Sequence, residues 1–191
     1  TCIAPDYVFV DAGRRDALVA ALREQVRARY ADDGRGDYTR IINQGQLQRL
    51  QGYVDDAAAK GLQVIPLQPG AGTRSFPPTL VIEPGDDAKV MQDEIFGPIL
   101  PIKSYRSLDE AIAYVNAHER PLALYPFGYD RAAIERILGN TLAGGVTVND
   151  SLIHFAINAL PFGGVGASGM GAYHGRAGFD AFSKQLPILW Q

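Results

Sequence analysis

Apolar and polar positions along this chain switch repeatedly between two periods. Tyr7–Val10 (YVFV) is a run of aromatic and β-branched residues and predicts a strand. From Arg14 to about Ala31 the spacing changes, with Leu18, Leu22, Val26 and Tyr30 four residues apart on one helical face. Arg23, Glu24, Arg27 and Arg29 lie mostly off that face and read as a solvated surface. DDGRGD (32–37) predicts a loop. A second helix is expected over roughly 44–60, with Leu47, Leu50, Val54 and Ala57 inward and Gly61 as its stop.

Strands are then expected at 62–67 (LQVIPL), 79–83 (TLVIE) and 99–105 (ILPIKSY), with a Pro/Gly-rich connection over 69–78. Ser107 stands three residues before Glu110, the spacing of a capping box, and Leu108, Ala111, Ile112 and Val115 supply the next helix's core face. LALYPFGYD (122–130) reads as a strand, Arg131–Leu138 as a helix, and GGVTVND (144–150) as a strand ending in a polar turn. Such alternation predicts an α/β domain with a largely parallel sheet flanked by helices. No repeat, low-complexity tract or internal boundary interrupts it.

Composition narrows the function classes. A chain of 191 residues with 47% apolar and 20% charged residues can bury one sizeable core. A net charge of −3 gives no electrostatic case for nucleic acid or an anionic membrane. No apolar run approaches the roughly 20 residues of a membrane span, and no ligand cluster suggests a metal. One cysteine cannot close an internal disulfide, which fits a reducing, cytoplasmic compartment. The chain starts without Met and enters a strand almost at once, so a piece of a longer protein is expected.

Four stretches carry candidate chemistry. Cys2, the lone thiol, would need a lowered pKa or a base to act as a nucleophile, and otherwise is a small hydrophobe. DEIFGPILP (93–101) sets an acidic pair before a Phe-Gly-Pro turn. In GGVTVNDSLIHF (144–155), Asn149 and Asp150 lie past a strand's C-terminal end, where ligand-facing groups of open sheets collect, and His154 sits in apolar company suited to a core residue. LPFGGVGASGMGAYHG (160–175) contains six glycines, with Gly178 just beyond. Its Gly164-x-Gly166-x-x-Gly169 lacks the strand before and the helix after that a phosphate loop requires.

Together, TCIAPDYV, EIFGP, GGVTVND and LPFGGVGASGMGAYHGRAGFDAFSK resemble the C-terminal half of an aldehyde dehydrogenase, in order and spacing along nearly the whole chain. The GMGAYHG and FDAFS segments are similar to the class-3-like branch, and within it to the bacterial coniferyl aldehyde dehydrogenases. The resemblance implies a catalytic domain without the N-terminal cofactor-binding domain. It implies Cys2 as nucleophile, Glu94 on the nicotinamide ribose of NAD or NADP, and Phe96 against the nicotinamide. It places Phe162 and His174 near the substrate pocket, with Asn149 and His154 in a stretch approaching it. The implied substrate is a small-molecule aldehyde, coniferyl aldehyde among the candidates, and the implied assembly a homodimer with the strand-like segment at about 179–191 at its interface. In the family the general-base Glu and the oxyanion-hole Asn precede the Cys, so this chain alone is expected to bind cofactor poorly and turn over little.

Two other functions fit the same residues. One is a cofactor-independent Cys acyl-transferase or hydrolase using His154 or His174 as base. The other is a non-catalytic dimerising domain, in which LPILW (186–190) would otherwise be an exposed edge.

Overall fold

The structure, a computed structural model, describes residues 1–30, 38–70 and 72–191. The predicted loop at 32–37 lies outside the described residues. The chain divides into two compact units, one of Pro5–Ser107 and one of Thr1–Ala4 with Leu108–Gln191.

The first unit is built on a four-stranded sheet of order β1-β4-β3-β2. Its strands are β1 (Val8–Asp11), β2 (Gln63–Pro66), β3 (Thr79–Ile82) and β4 (Ile99–Tyr105). β1 and β3 both run parallel to β4, while β2 closes the edge antiparallel to β3. Central β3 is buried at all four positions, as its unbroken TLVI run requires.

Strand side chains alternate faces, so each face has its own helix. Leu80, Ile82 and Ile102 face one way and pack with Val8, Val10 and, from α1 (Arg15–Tyr30), Leu18, Val19 and Leu22. Val81 and Ile99 face the other way and pack on Leu50, Tyr53 and Ala57 of α2 (Gln44–Ala59). Asn43 caps α2 by accepting from the Gln46 N–H at 2.9 Å. Gly61, at φ +73°, ends it while its N–H and that of Leu62 satisfy the Ala58 and Ala57 carbonyls.

The second unit contains α3 (Leu108–Ala117), β5 (Ala123–Leu124), α4 (Arg131–Asn140), β6 (Gly145–Val146), α5 (Ile153–Ala156) and α6 (Gly175–Ala181). Asp130 caps α4 by accepting from the Ala132 and Ala133 N–H groups. β5 and β6 are parallel but short, where the pattern predicts strands over 122–130 and 144–150. The pairing nevertheless runs further. The N–H groups of Gly144, Gly145, Thr147 and Asn149 donate in turn to the carbonyls of Pro121, Leu122, Leu124 and Pro126. Proline at 121 and 126 can accept but not donate, which shortens the regular ladder.

The strand-like reading of 179–191 is overturned. Phe179–Ala181 belong to α6, and no strand follows. The run LPILW has the side chains of a strand but is not in one, and Leu189 and Trp190 are 84% and 88% exposed.

Candidate active site

Cys2 lies in the second unit, in a turn closed by the Ala4 N–H donating to the Thr1 carbonyl at 3.0 Å. Its thiol is free and exposed. The turn is anchored by the next residue. Ile3 is buried, and its carbonyl accepts the Tyr125 hydroxyl at 2.6 Å. Burial raises the Tyr125 pKa, a backbone hydrogen bond from Leu152 lowers it in part, and the nearby Cys2 charge raises it.

Beyond Cys2 lies a chain of rings. Tyr125 and His154 have centroids 6.0 Å apart, His154 and Phe162 6.0 Å, and Phe162 and His174 5.8 Å. Phe155 meets Phe162 edge-on at 5.2 Å, and Tyr173 does so at 5.9 Å. Phe162 and Tyr173 also exchange backbone hydrogen bonds at 2.8 and 2.9 Å, an isolated antiparallel bridge that holds the two arms of the glycine-rich segment together.

That segment's glycines serve close packing. A Cβ on Gly163 would stand 2.0 Å from the Gly171 carbonyl oxygen, and one on Gly164 2.1 Å from that of Ser168. Backbone here presses on backbone, where only glycine fits.

His154 is buried, and its ring is fixed. The Thr147 hydroxyl accepts the His154 backbone N–H at 3.3 Å and lies 2.8 Å from Nδ1. Accepting from the backbone N–H and pairing with Nδ1, the one hydroxyl fixes the orientation of the ring. Burial holds the His154 pKa below its ordinary value. Nε2 and the Nδ1 of His174 are buried without a partner among the described residues. Neither histidine is hydrogen-bonded to Cys2 among those residues.

Asn149 is committed elsewhere. Its Oδ1 accepts from the Gly128 N–H and its Nδ2 donates to the Gly128 carbonyl. Its φ is +59°, a left-handed conformation that asparagine tolerates better than most residues.

Glu94 and Phe96 belong to the first unit. Buried Ile95 pins the turn, its N–H donating to the Asp6 carboxylate at 3.0 Å. Burial raises the Asp6 pKa, the bond from Ile95 lowers it, and Glu94 raises it again. Gly97 passes so close to α2 that a Cβ would meet Leu50 Cδ2 at 2.3 Å. Phe96 bridges these two fixed points at φ +46°, and its side chain is 58% exposed. Both Glu94 and Phe96 line a groove of about 850 Å³ with Gln46, Arg49, Tyr53 and Asp93. Arg49 bonds the Tyr53 hydroxyl at 3.0 Å, and Tyr53 donates to Asp93 at 3.3 Å. An exposed carboxylate able to accept from ribose hydroxyls, beside an aromatic face held outward, suits the nicotinamide riboside end of a dinucleotide.

Three of the seven residues singled out from the sequence therefore have positive φ: Phe96, Asn149 and His174. Such strained residues concentrate at functional sites. Tyr125, Thr147, Gln46 and Arg49 were not singled out. A tyrosine between an apolar strand and a proline was the available signal for Tyr125.

Among the described residues, no group of three or more His, Cys, Asp or Glu side chains could hold a metal, and no helix is long and apolar enough to cross a membrane.

Comparison with known proteins identifies the family. The model of the aldehyde dehydrogenase family matches residues 1–186, and the chain belongs to that family. It is 52% identical over 192 residues to the "Probable coniferyl aldehyde dehydrogenase" of Pseudomonas aeruginosa, covering 99% of this chain and 40% of that protein. It is 46% identical over 192 residues to aldehyde dehydrogenase family 3 member A2 of Mus musculus, covering 99% of this chain and 39% of that one. The substrate-bound state of Staphylococcus aureus AldH superposes with a TM-score of 0.85 at 39% identity, over 100% of this chain and 43% of that one. The chain thus spans about two fifths of the length of the relatives it matches.

Proposed function

We propose that the protein carrying this chain is an NAD(P)-dependent aldehyde dehydrogenase that oxidises an aldehyde to its carboxylic acid, with Cys2 as nucleophile. The observation that carries the reading is the family match across residues 1–186, which begins at the turn presenting an exposed free thiol.

The Cys2 thiolate adds to the aldehyde carbon, forming a C–S bond and an oxyanion. The Cys2 backbone N–H donates to that oxyanion, the electrostatic term such chemistry depends on. Loss of hydride from the carbon converts the thiohemiacetal to a thioester. Water then cleaves the C–S bond, giving the acid and returning the thiol. Glu94 and Phe96 would hold the nicotinamide, which would supply the hydride acceptor. Phe162 and His174 form an aromatic wall for the substrate, which favours an arylic or long apolar aldehyde, coniferyl aldehyde among them. His154, neutral and buried behind Phe162, and Asn149, bound to Gly128, support that wall from outside the reaction. The exposed apolar end at Leu186, Ile188, Leu189 and Trp190 pairs with a second copy in a homodimer. A reducing, cytoplasmic compartment keeps the single thiol free.

The test is aldehyde oxidation by the intact protein, wild type and Cys2→Ser, with and without NAD or NADP. Cofactor-dependent turnover that Cys2→Ser abolishes supports the reading. Turnover that survives Cys2→Ser sinks it, and ester hydrolysis without aldehyde oxidation would favour a cofactor-independent acyl enzyme.

A further inference from the structure

Nothing in the chemistry above uses the Tyr125 hydroxyl, yet it makes a short hydrogen bond to the peptide next to the thiol. Among the described residues, the backbone bond that closes the Thr1–Ala4 turn runs from the Ala4 N–H to the Thr1 carbonyl. One such bond leaves an exposed side chain free to swing. Two further restraints act on Ile3: its side chain is 5% exposed, and its carbonyl takes the phenol at 2.6 Å. The phenol is itself held. Tyr125 follows β5 directly and precedes Pro126, whose carbonyl is bonded to the Asn149 N–H. Its ring lies 6.0 Å from that of His154, which Thr147 fixes. The segment that carries Tyr125, packed against His154, is thereby tied through one hydroxyl to the carbonyl of the residue after Cys2.

We propose that Tyr125 is a positioning residue for the nucleophile: its hydroxyl, donating to the Ile3 carbonyl, sets the orientation in which Cys2 meets the aldehyde. The proposal rests on Cys2 being the nucleophile. It asks nothing of the phenol as an acid or base, because its proton is already given to Ile3.

The experiment is a set of substitutions at 125 in the intact protein. Tyr125→Phe removes only the hydroxyl. Misalignment of a reacting group of the order of an ångström costs rate rather than affinity, so kcat should fall roughly ten- to hundredfold while cofactor affinity holds. 4-Aminophenylalanine at 125, which restores a donor, should recover kcat, and 4-methylphenylalanine, which fills the same volume without one, should not. That isosteric pair decides the matter even if Tyr125→Phe folds poorly. If the donor and non-donor analogues have equal kcat, the hydroxyl only satisfies a buried carbonyl and the proposal is overturned. Cys2→Ser in the same protein separates the two readings. If it is inactive and the analogues are equal, only the Tyr125 role falls; if it oxidises aldehyde, the nucleophile assignment falls too.

Discussion

The Asn149 side-chain amide lies in register with the Gly128 backbone, accepting its N–H at 2.7 Å and donating to its carbonyl at 2.9 Å. The side chain thereby extends the β5–β6 pairing past Pro126, where the backbone can no longer donate. Asn149→Ala loses both bonds and leaves a Cβ-bearing residue at positive φ with no local compensation. Urea unfolding should show a loss of about 2 kcal/mol. Asn149→Asp keeps the acceptor for the Gly128 N–H but, when charged, sets a carboxylate oxygen against the Gly128 carbonyl, so it should also lose stability and recover part of it at a pH low enough to protonate the carboxyl, which then donates as the amide did. Equal stability of all three proteins would contradict the assignment.

Phe96 predicts an inversion of the usual order of truncations. Glycine is normally the more damaging replacement, but at φ +46° it relieves strain that alanine retains. Phe96→Gly should therefore be more stable than Phe96→Ala by about 1 kcal/mol, measured by thermal melting. Both should bind nicotinamide cofactor more weakly than wild type in a fluorescence titration, because both lose the ring.

His154 gives a pH dependence with a definite sign. Burial lowers its folded-state pKa below the ordinary imidazole value near 6.5, so below that pH the unfolded chain binds the proton better. The stability from this group is complete above about 6.5 and drains away as pH falls through the lower folded value. Urea midpoints should be flat between neutral and mildly alkaline pH and drop toward pH 5, and His154→Gln should flatten that drop. A midpoint that rises on acidification would reverse the assignment.

Gly97 and Leu50 should show coupled substitution energies. Gly97→Ala drives a methyl to 2.3 Å from a Leu50 methyl that is 1% exposed, and should cost about 1–3 kcal/mol. Leu50→Ala alone should cost about 2–5 kcal/mol by leaving a cavity. In the double variant the added methyl occupies part of that space, so the combined loss should be less than the sum. Strict additivity would mean the clash is relieved some other way.

Much of the sheet was legible because hydrophobic period and helix caps act locally. Leu47, Leu50, Val54 and Ala57 announce α2, and Gly61 announces its end. The unbroken apolar TLVI announces a strand covered on both faces. The antiparallel course of β2 was not legible, because nothing in QVIP encodes direction. Nor was the failure of LPILW to pair, since a strand depends on a neighbour its own residues do not specify. α6 was missed because GRAGFDA holds two glycines and too short a period. At the site, the family resemblance, not the residues' own pattern, pointed to Cys2, Glu94 and Phe96. The engagement of Asn149 with Gly128 depends on a contact 21 residues away in sequence, and that of Tyr125 with Ile3 on one 122 residues away. No local signal reports either.

The glycines beside Phe162 also limit how this region can change. Gly144, Gly163 and Gly164 each meet another backbone closer than a methyl group allows. Selection, natural or in the laboratory, therefore has few positions to use there. A recut wall must come from trimming or reshaping Phe155, Phe162, Tyr173 or His174, never from adding bulk between them. On the proposed function, variants that enlarge the space beside Phe162 should therefore be easier to obtain than variants that add a side chain at these glycines.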